Sequence, residues 1–186
     1  CSDCPVVCGS VAVVDTPGIK LRTERIEHQT ICALGTYCGI DDFPSIIQAG
    51  DLCDAYGMDT MSTGTTIAFA MELFERGILT DRDTGGLQLR FGNASVLRPL
   101  IEQMARRTPG IGELLAQGSK VAAERIGGDA WMYAMHSKGL EIGAYDPRGF
   151  TGMALNLATA QRGADHNKAF TIAAEFLGVL GNYDRF

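Results

Sequence analysis

The sequence predicts a mainly α-helical fold with a short β segment near the N-terminus. Three observations carry this reading. Apolar residues recur three and four positions apart through most of the 186-residue chain, glycine and proline fall at the ends of those stretches, and β-branched residues gather in one short run, GSVAVVD. Residues 9 to 31 open with that run and pass through a Thr-Pro-Gly turn, so they read as a strand or hairpin fragment. From Phe43 the pattern becomes helical. Pro44 suits a first helical turn, Ile46, Ile47 and Leu52 supply an apolar face, and Gly57 ends the segment. Between Thr60 and Gly77 a second helix is expected, with Ile67, Met71, Phe74 and Ile78 in line.

A polar connection follows, with one strand-like stretch, Leu87 to Phe91. Val96 to Arg107 places Leu97, Leu100, Ile101 and Met104 on one face, and Arg106 and Arg107 complement the C-terminal end of the helix dipole. Ile111 to Ile126 reads as one continuous amphipathic helix, stopped by Gly127-Gly128. AYDPRG is a turn, and helices are expected over 152–162 and 168–180.

Composition narrows the function. A net charge of −6 argues against a nucleic-acid or anionic-membrane surface, which calls for a basic face. No apolar run reaches the roughly 20 residues of a membrane span. The chain starts at Cys1 inside a spacing motif and reads as a piece of a longer polypeptide. Its six cysteines are not those of a small disulfide scaffold, because a chain this long has its own core.

Three groups of residues carry chemistry. Cys1, Cys4 and Cys8 form Cys-x2-Cys-x3-Cys, whose sulfurs converge in a short loop on an iron–sulfur cluster or a zinc ion. A third reading is structural thiols, and a non-catalytic module would draw a fourth ligand from Cys32, Cys38 or Cys53. The second group is DAYGMDTMSTG, where Asp54 and Asp59 flank a Tyr-Gly-Met turn. Helix capping by Gly57 and Asp59 explains these residue types, and so does a carboxylate pair accepting N–H donors from a heterocycle. In the third, His166 follows Arg162, Gly163, Ala164 and Asp165, either as a structural hydrogen bonder or as an acid–base group tuned by its neighbours. Glu27 and His28 form a further polar pair, which a solvated face also explains.

Together CSDCPVVC, ALGTYCGIDD, DAYGMDTMSTG, KGLEIGAYDPRG and ATAQRGADH resemble, in order, the aldehyde ferredoxin oxidoreductase family of tungsten (sometimes molybdenum) bis-pterin enzymes. The resemblance implies helical domains of that family's type. Residues 1–90 would be a cluster-binding region with the first pterin motif, and 91–186 a second helical region cut short at its C-terminus. Cys1, Cys4 and Cys8 would hold a [4Fe–4S] cluster, with the fourth cysteine in an Asp-x-x-Gly-Leu-Cys motif beyond Phe186. The β-rich N-terminal domain that covers the cofactor would also lie outside this chain. Asp54, Gly57, Met58 and Asp59 match the family's Asp-x-x-Gly-Leu-Asp pterin motif, with Met58 for Leu.

Glu27 falls in the family's Glu-Tyr-Glu stretch, where the next residues here are His28 and Gln29, and His166 matches the family's histidine, with Asp165 replacing a Cys. The activity implied is oxidation of a small-molecule aldehyde to a carboxylate, with Glu27 and His166 handling protons. Electrons would leave through the cluster to ferredoxin or an electron-transfer subunit in a cytoplasmic enzyme. Some members of the family instead reduce aromatic acyl-CoA thioesters, and the Glu27-His28 pair and Asp165 point towards that alternative.

Overall fold

The computed structural model describes residues 10–24, 26–169, 171, 172 and 175. The cysteine motif at Cys1, Cys4 and Cys8 lies outside the described residues, and the helix expected over 168–180 falls largely outside them. Strands β1 (Val11–Thr16) and β2 (Ile19–Glu24) form an antiparallel hairpin in which Thr16 pairs with Ile19. Pro17 and Gly18 close it, because proline presets φ at the first turn position and Gly18 takes a φ of 90° at the second. Helix α1 (His28–Leu34) follows at once. The strand-like reading of residues 9–31 therefore ends at β2, and residues 28–31 are helical.

Helix α2 (Phe43–Tyr56) has Pro44 in its first turn and ends on Gly57, which adopts the left-handed conformation at φ 68°. The Gly57 N–H donates to Asp54 O and the Met58 N–H to Cys53 O, the paired bonds of a Schellman stop. Two residues later α3 (Thr60–Glu75) begins, capped by Asp59, whose Oδ2 accepts from Ser62 N at 2.7 Å. Helix α3 is the central element, with Ile67, Ala70, Met71 and Leu73 fully buried. Gly64 lets α1 cross it closely, since a Cβ there would lie 2.5 Å from Ala33 O and 2.7 Å from Ala33 Cβ.

Leu87 to Phe91 is not a strand. Leu89 is buried in the core, Phe91 N donates to Glu75 Oε1, and the chain is tied to the turn after α1 by Gly92 N donating to Cys38 O. Helix α4 (Leu97–Ala105) buries Leu97, Leu100, Ile101 and Met104 as expected. The single helix expected over 111–126 is two, α5 (Ile111–Leu115) and α6 (Gly118–Ile126). The break has a distant cause. The buried carboxylate of Glu141 accepts from Ser119 N at 2.8 Å and Ser119 Oγ at 2.9 Å and occupies the start of α6. Gly118, at φ 82°, leaves room for it.

Two-residue strands β3 (His136–Ser137) and β4 (Leu140–Glu141) make a tight hairpin, and α7 (Thr151–Thr159) follows the AYDPRG turn. Glu175 accepts from the Gly152 and Met153 N–H groups and so caps α7. One apolar cluster runs from Leu34 to Ala130, and a smaller one joins Met153, Leu157, Ala164 and Ile172.

Candidate functional site

The N-terminal ends of α1 and α3 lie side by side. Thr30 Oγ1 and Thr60 Oγ1 are 2.9 Å apart in a hydrogen bond, and the Gly64–Ala33 contact fixes the crossing one turn further in. The loop after β4 closes over this junction. Gln29 Oε1 accepts from Ala144 N at 2.9 Å, and Tyr37 Oη donates to Gly143 O at 2.8 Å. Tyr145 then stands between two imidazoles, with its ring centroid 5.3 Å from that of His166 and 6.2 Å from that of His28.

His166 is half-buried, and its loop is held by Asp165. The Asp165 carboxylate accepts from Asn167 N at 3.0 Å and pairs with Arg162 at 3.4 Å, while Asn156 Nδ2 donates to Asp165 O. Burial pushes the His166 pKa below its ordinary value, against the opposing pull of the Asp165 and Asp59 carboxylates. The field of Asp59 reaching His166 links the two sequence motifs in space. A neutral imidazole at pH 7 is the form that accepts a proton.

Not every singled-out residue enters this arrangement equally. Asp59 caps α3 and Gly57 supplies the left-handed turn, so the capping account holds for both. Asp54 is different. Its carboxylate is exposed at the C-terminal end of α2, where the helix dipole disfavours negative charge and no basic residue stands in the last turn. Capping does not explain it. Met58 packs half-buried against the core.

Glu27 stands exposed at the N-cap of α1 without a capping hydrogen bond, while Gln29, two residues on, reaches the His166 loop. Gln29, Gly143 and Tyr145 were not singled out from sequence. The only signal for them was the departure from the family's Glu-Tyr-Glu stretch and the KGLEIGAYDPRG motif itself.

Two cavities flank the junction. One of about 270 Å³ opens beside Met58 and Asp59 and is lined also by Ser62, Thr66 and Arg107. Among the described residues, the buried Thr66 Oγ1 has no hydrogen-bond partner. The other, about 550 Å³, is lined by Tyr37, Phe69, Phe91 and Ile142, by Gly143, and by the charged residues Glu72, Asp146 and Arg148. Cys38 and Cys53 are buried core thiols pushed up to about 12 by burial. Among the described residues no three His, Cys, Asp or Glu side chains gather as a metal site. No helix among the described residues is long and apolar enough to cross a membrane.

The fold thus brings an acidic helix-end motif, a histidine and an amide together near two cavities. The comparisons with known proteins give the family. The family model for aldehyde ferredoxin oxidoreductase, domains 2 and 3, matches residues 1–186. The tungsten-containing aldehyde ferredoxin oxidoreductase of Thermococcus kodakarensis is 45% identical over 179 residues, covering 96% of this chain and 29% of that protein. A Pyrococcus furiosus protein, described as an aliphatic sulfonate oxidoreductase WOR-like subunit, is 30% identical over 92% of this chain and 28% of its own length. Among solved structures, the active-site complex BamBC of benzoyl coenzyme A reductase with 1,5-dienoyl-CoA superposes with a TM-score of 0.64 at 29% identity. It covers 87% of this chain and 24% of that one. The chain belongs to the aldehyde ferredoxin oxidoreductase family, and it spans about 29% of the length of the tungsten-containing relatives it matches.

The residues beside the first cavity suit a pterin. Asp59 and Ser62 supply polar atoms at its wall, Arg107 a cation, and the partnerless Thr66 hydroxyl lies in the same lining.

Proposed function

We propose that the chain is part of a tungsten or molybdenum bis-pterin oxidoreductase that oxidises aldehydes to carboxylic acids and passes electrons through a [4Fe–4S] cluster to ferredoxin. The observation that carries this is the convergence of the Asp59 motif, the α1 end and His166 on one junction, in a chain 45% identical to a tungsten-containing aldehyde enzyme. Asp54 and Asp59 hold the pterin through its N–H donors, and Arg107 faces any anionic part of it. Cys1, Cys4 and Cys8 hold the cluster with a fourth ligand from elsewhere in the whole protein. Bound metal–pterin supplies the two-electron oxidation chemistry.

The remaining work falls to this chain. His166, neutral through burial, accepts a hydroxyl proton of the hydrated aldehyde. Glu27, exposed at the end of α1, carries protons on towards solvent. The 550 Å³ cavity, walled by Tyr37, Phe69 and Phe91, takes the hydrocarbon part of the substrate. Overall an aldehyde and a water yield a carboxylate, three protons and two electrons.

The test is the full-length protein, purified with its metal and assayed for aldehyde-dependent reduction of ferredoxin or a viologen dye, with tungsten, molybdenum and iron counted. A metal-loaded protein that reduces neither acceptor with any aldehyde overturns the proposal. The second reading, reduction of an aromatic acyl-CoA thioester, is favoured by the likeness to the benzoyl coenzyme A reductase complex. Oxidation of a reduced dye by benzoyl-CoA, without aldehyde turnover, selects it.

A further inference from the structure

We infer that Lys138 is a positioning residue for His166, acting through the backbone carbonyl at which α7 ends and the His166 loop begins. The inference rests on the reading above that His166 takes the substrate's proton, and it deepens that reading. It starts from a residue ill suited to its backbone. The β3–β4 hairpin closes on Lys138 and Gly139, at φ values of 56° and 89°. A two-residue hairpin loop with positive φ at both positions favours Asn-Gly, and a lysine at the first of them is strained. Such strain persists where the side chain does something that the easier residue cannot.

The Lys138 Nζ donates to Ala160 O at 2.8 Å. Ala160 is the C-cap of α7, whose last turn has no basic residue of its own, so the hairpin brings a cation to the carbonyl end of the helix. Capping alone does not call for it, because Gly163 N already donates to the same carbonyl at 3.2 Å. The second donor adds direction. Held by both, the Ala160 carbonyl sets the line on which the chain leaves α7.

From that carbonyl a series of short contacts leads to the imidazole. Gly163 packs on the hairpin, where a Cβ would collide with Ser137 O and stand 3.3 Å from the Cβ atoms of Leu140 and Lys138. Asp165 N donates to Gly163 O at 2.7 Å, Asn156 Nδ2 donates to Asp165 O at 3.0 Å, and His166 is the next residue. The hairpin itself is anchored at both ends. Ser137 Oγ donates to Leu157 O at 3.1 Å, and the buried Glu141 carboxylate accepts from Ser119 at the start of α6. Lys138 lines neither of the two cavities, so it acts on the substrate through His166 alone.

The test uses the full-length metal-loaded enzyme and three readouts. These are thermal unfolding, kcat and KM for benzaldehyde, and the rate at which diethyl pyrocarbonate modifies His166, followed by peptide mass spectrometry. Lys138→Asn gives the turn its preferred residue and removes the amine. The melting temperature is expected to hold or rise, and kcat to fall about tenfold or more with KM unchanged within about twofold. His166 is expected to be modified about threefold faster or more, because its loop opens more often. Lys138→Arg, which keeps a cationic donor, retains most of the wild-type kcat. A Lys138→Asn enzyme with the kcat or the His166 modification rate of the wild type overturns the inference. One that fails to fold or melts lower overturns it too, because the amine then serves the fold and not the histidine. Lys138→Arg as slow as Lys138→Asn has the same force. Wild-type enzyme that oxidises no aldehyde overturns the functional reading instead, and the modification rates then decide Lys138 by themselves.

Discussion

Gly64→Ala tests the contact on which the junction depends. In α3 an alanine is ordinarily better than glycine by about 1 kcal/mol, so local propensity favours the change. The crossing with α1 opposes it. The new methyl carbon would lie 2.5 Å from Ala33 O and 2.7 Å from Ala33 Cβ, and against the Ala33 carbonyl carbon as well. Carbon atoms settle at about 3.5–4.0 Å, so α1 must recede by about 1 Å, and backbone cannot swing aside as a side chain does. Overpacking of this kind costs about 3 kcal/mol at the upper end of its usual range. Subtracting the propensity gain leaves about 2 kcal/mol, which for a domain of this size lowers the melting temperature by about 4–8 °C.

Differential scanning calorimetry of the full-length protein reads this shift. The same recession separates Thr30 from Thr60 and carries Gln29, one turn from Ala33, away from the His166 loop, so kcat/KM falls by about 100-fold. Adding Ala33→Gly removes one methyl and leaves the carbonyl contacts, so it rescues less than half of the loss. A melting temperature unchanged within about 1 °C, or full rescue by Ala33→Gly, refutes the reasoning.

Three further outcomes follow from the geometry. Gly143→Ala places a methyl 3.1 Å from His166 Nδ1, and it lowers turnover by displacing the imidazole while tungsten content stays constant; equal turnover counts against the placement. Because burial holds the His166 pKa below 6.5, the folded protein binds fewer protons than the unfolded chain once pH drops under that value. Its contribution to stability is therefore intact above pH 6.5 and lost as pH falls through the folded pKa. The acid limb of kcat/KM lies below pH 6.5 and disappears in His166→Gln, and a limb above 6.5 contradicts this. Under native conditions at pH 8, iodoacetamide labels Cys32 before Cys38 or Cys53, since thiols pushed up to about 12 are thiolate only on the order of one part in ten thousand; peptide mass spectrometry gives the order.

The parts of the fold that were legible in sequence are those whose cause is local. Pro44, Gly57 and Asp59 lie within a few residues of the boundaries they set, and the α2–turn–α3 unit appears where they place it. The break between α5 and α6 was illegible because its cause, Glu141, lies 22 residues further along the chain. Apolar residues keep helical phase across 111–126, and nothing nearby announces a stop. Leu87 to Phe91 alternates like a strand, yet among the described residues it has no partner strand, and its alternation records only that Leu89 turns into the core. Helix α1 leaves little trace in the sequence because it is two turns long and lacks a side-chain cap. The site followed the same rule. His166 and Asp59 stood out by residue type, whereas Gln29 acquires its meaning only from Ala144, 115 residues away.

The α2–α3 turn also shows how one motif divides between folding and function. Gly57 is required by a left-handed backbone, Met58 by the core, and Asp59 by the free N–H groups of α3. Folding alone accounts for these three. At Asp54 it predicts the opposite charge, because the carbonyl end of α2 favours Lys or Arg by a few tenths of a kcal/mol or more. An exposed carboxylate there weakens the helix it sits on, and the turn would form as well or better without it. Folding does not account for Asp54, and under the proposed function its partner is an N–H donor of the pterin. The neighbouring cavity is lined by Met58, Asp59, Ser62 and Arg107 and not by Asp54, so its walls would hold the pterin through Asp59 and leave Asp54 to a part of the ligand outside the cavity.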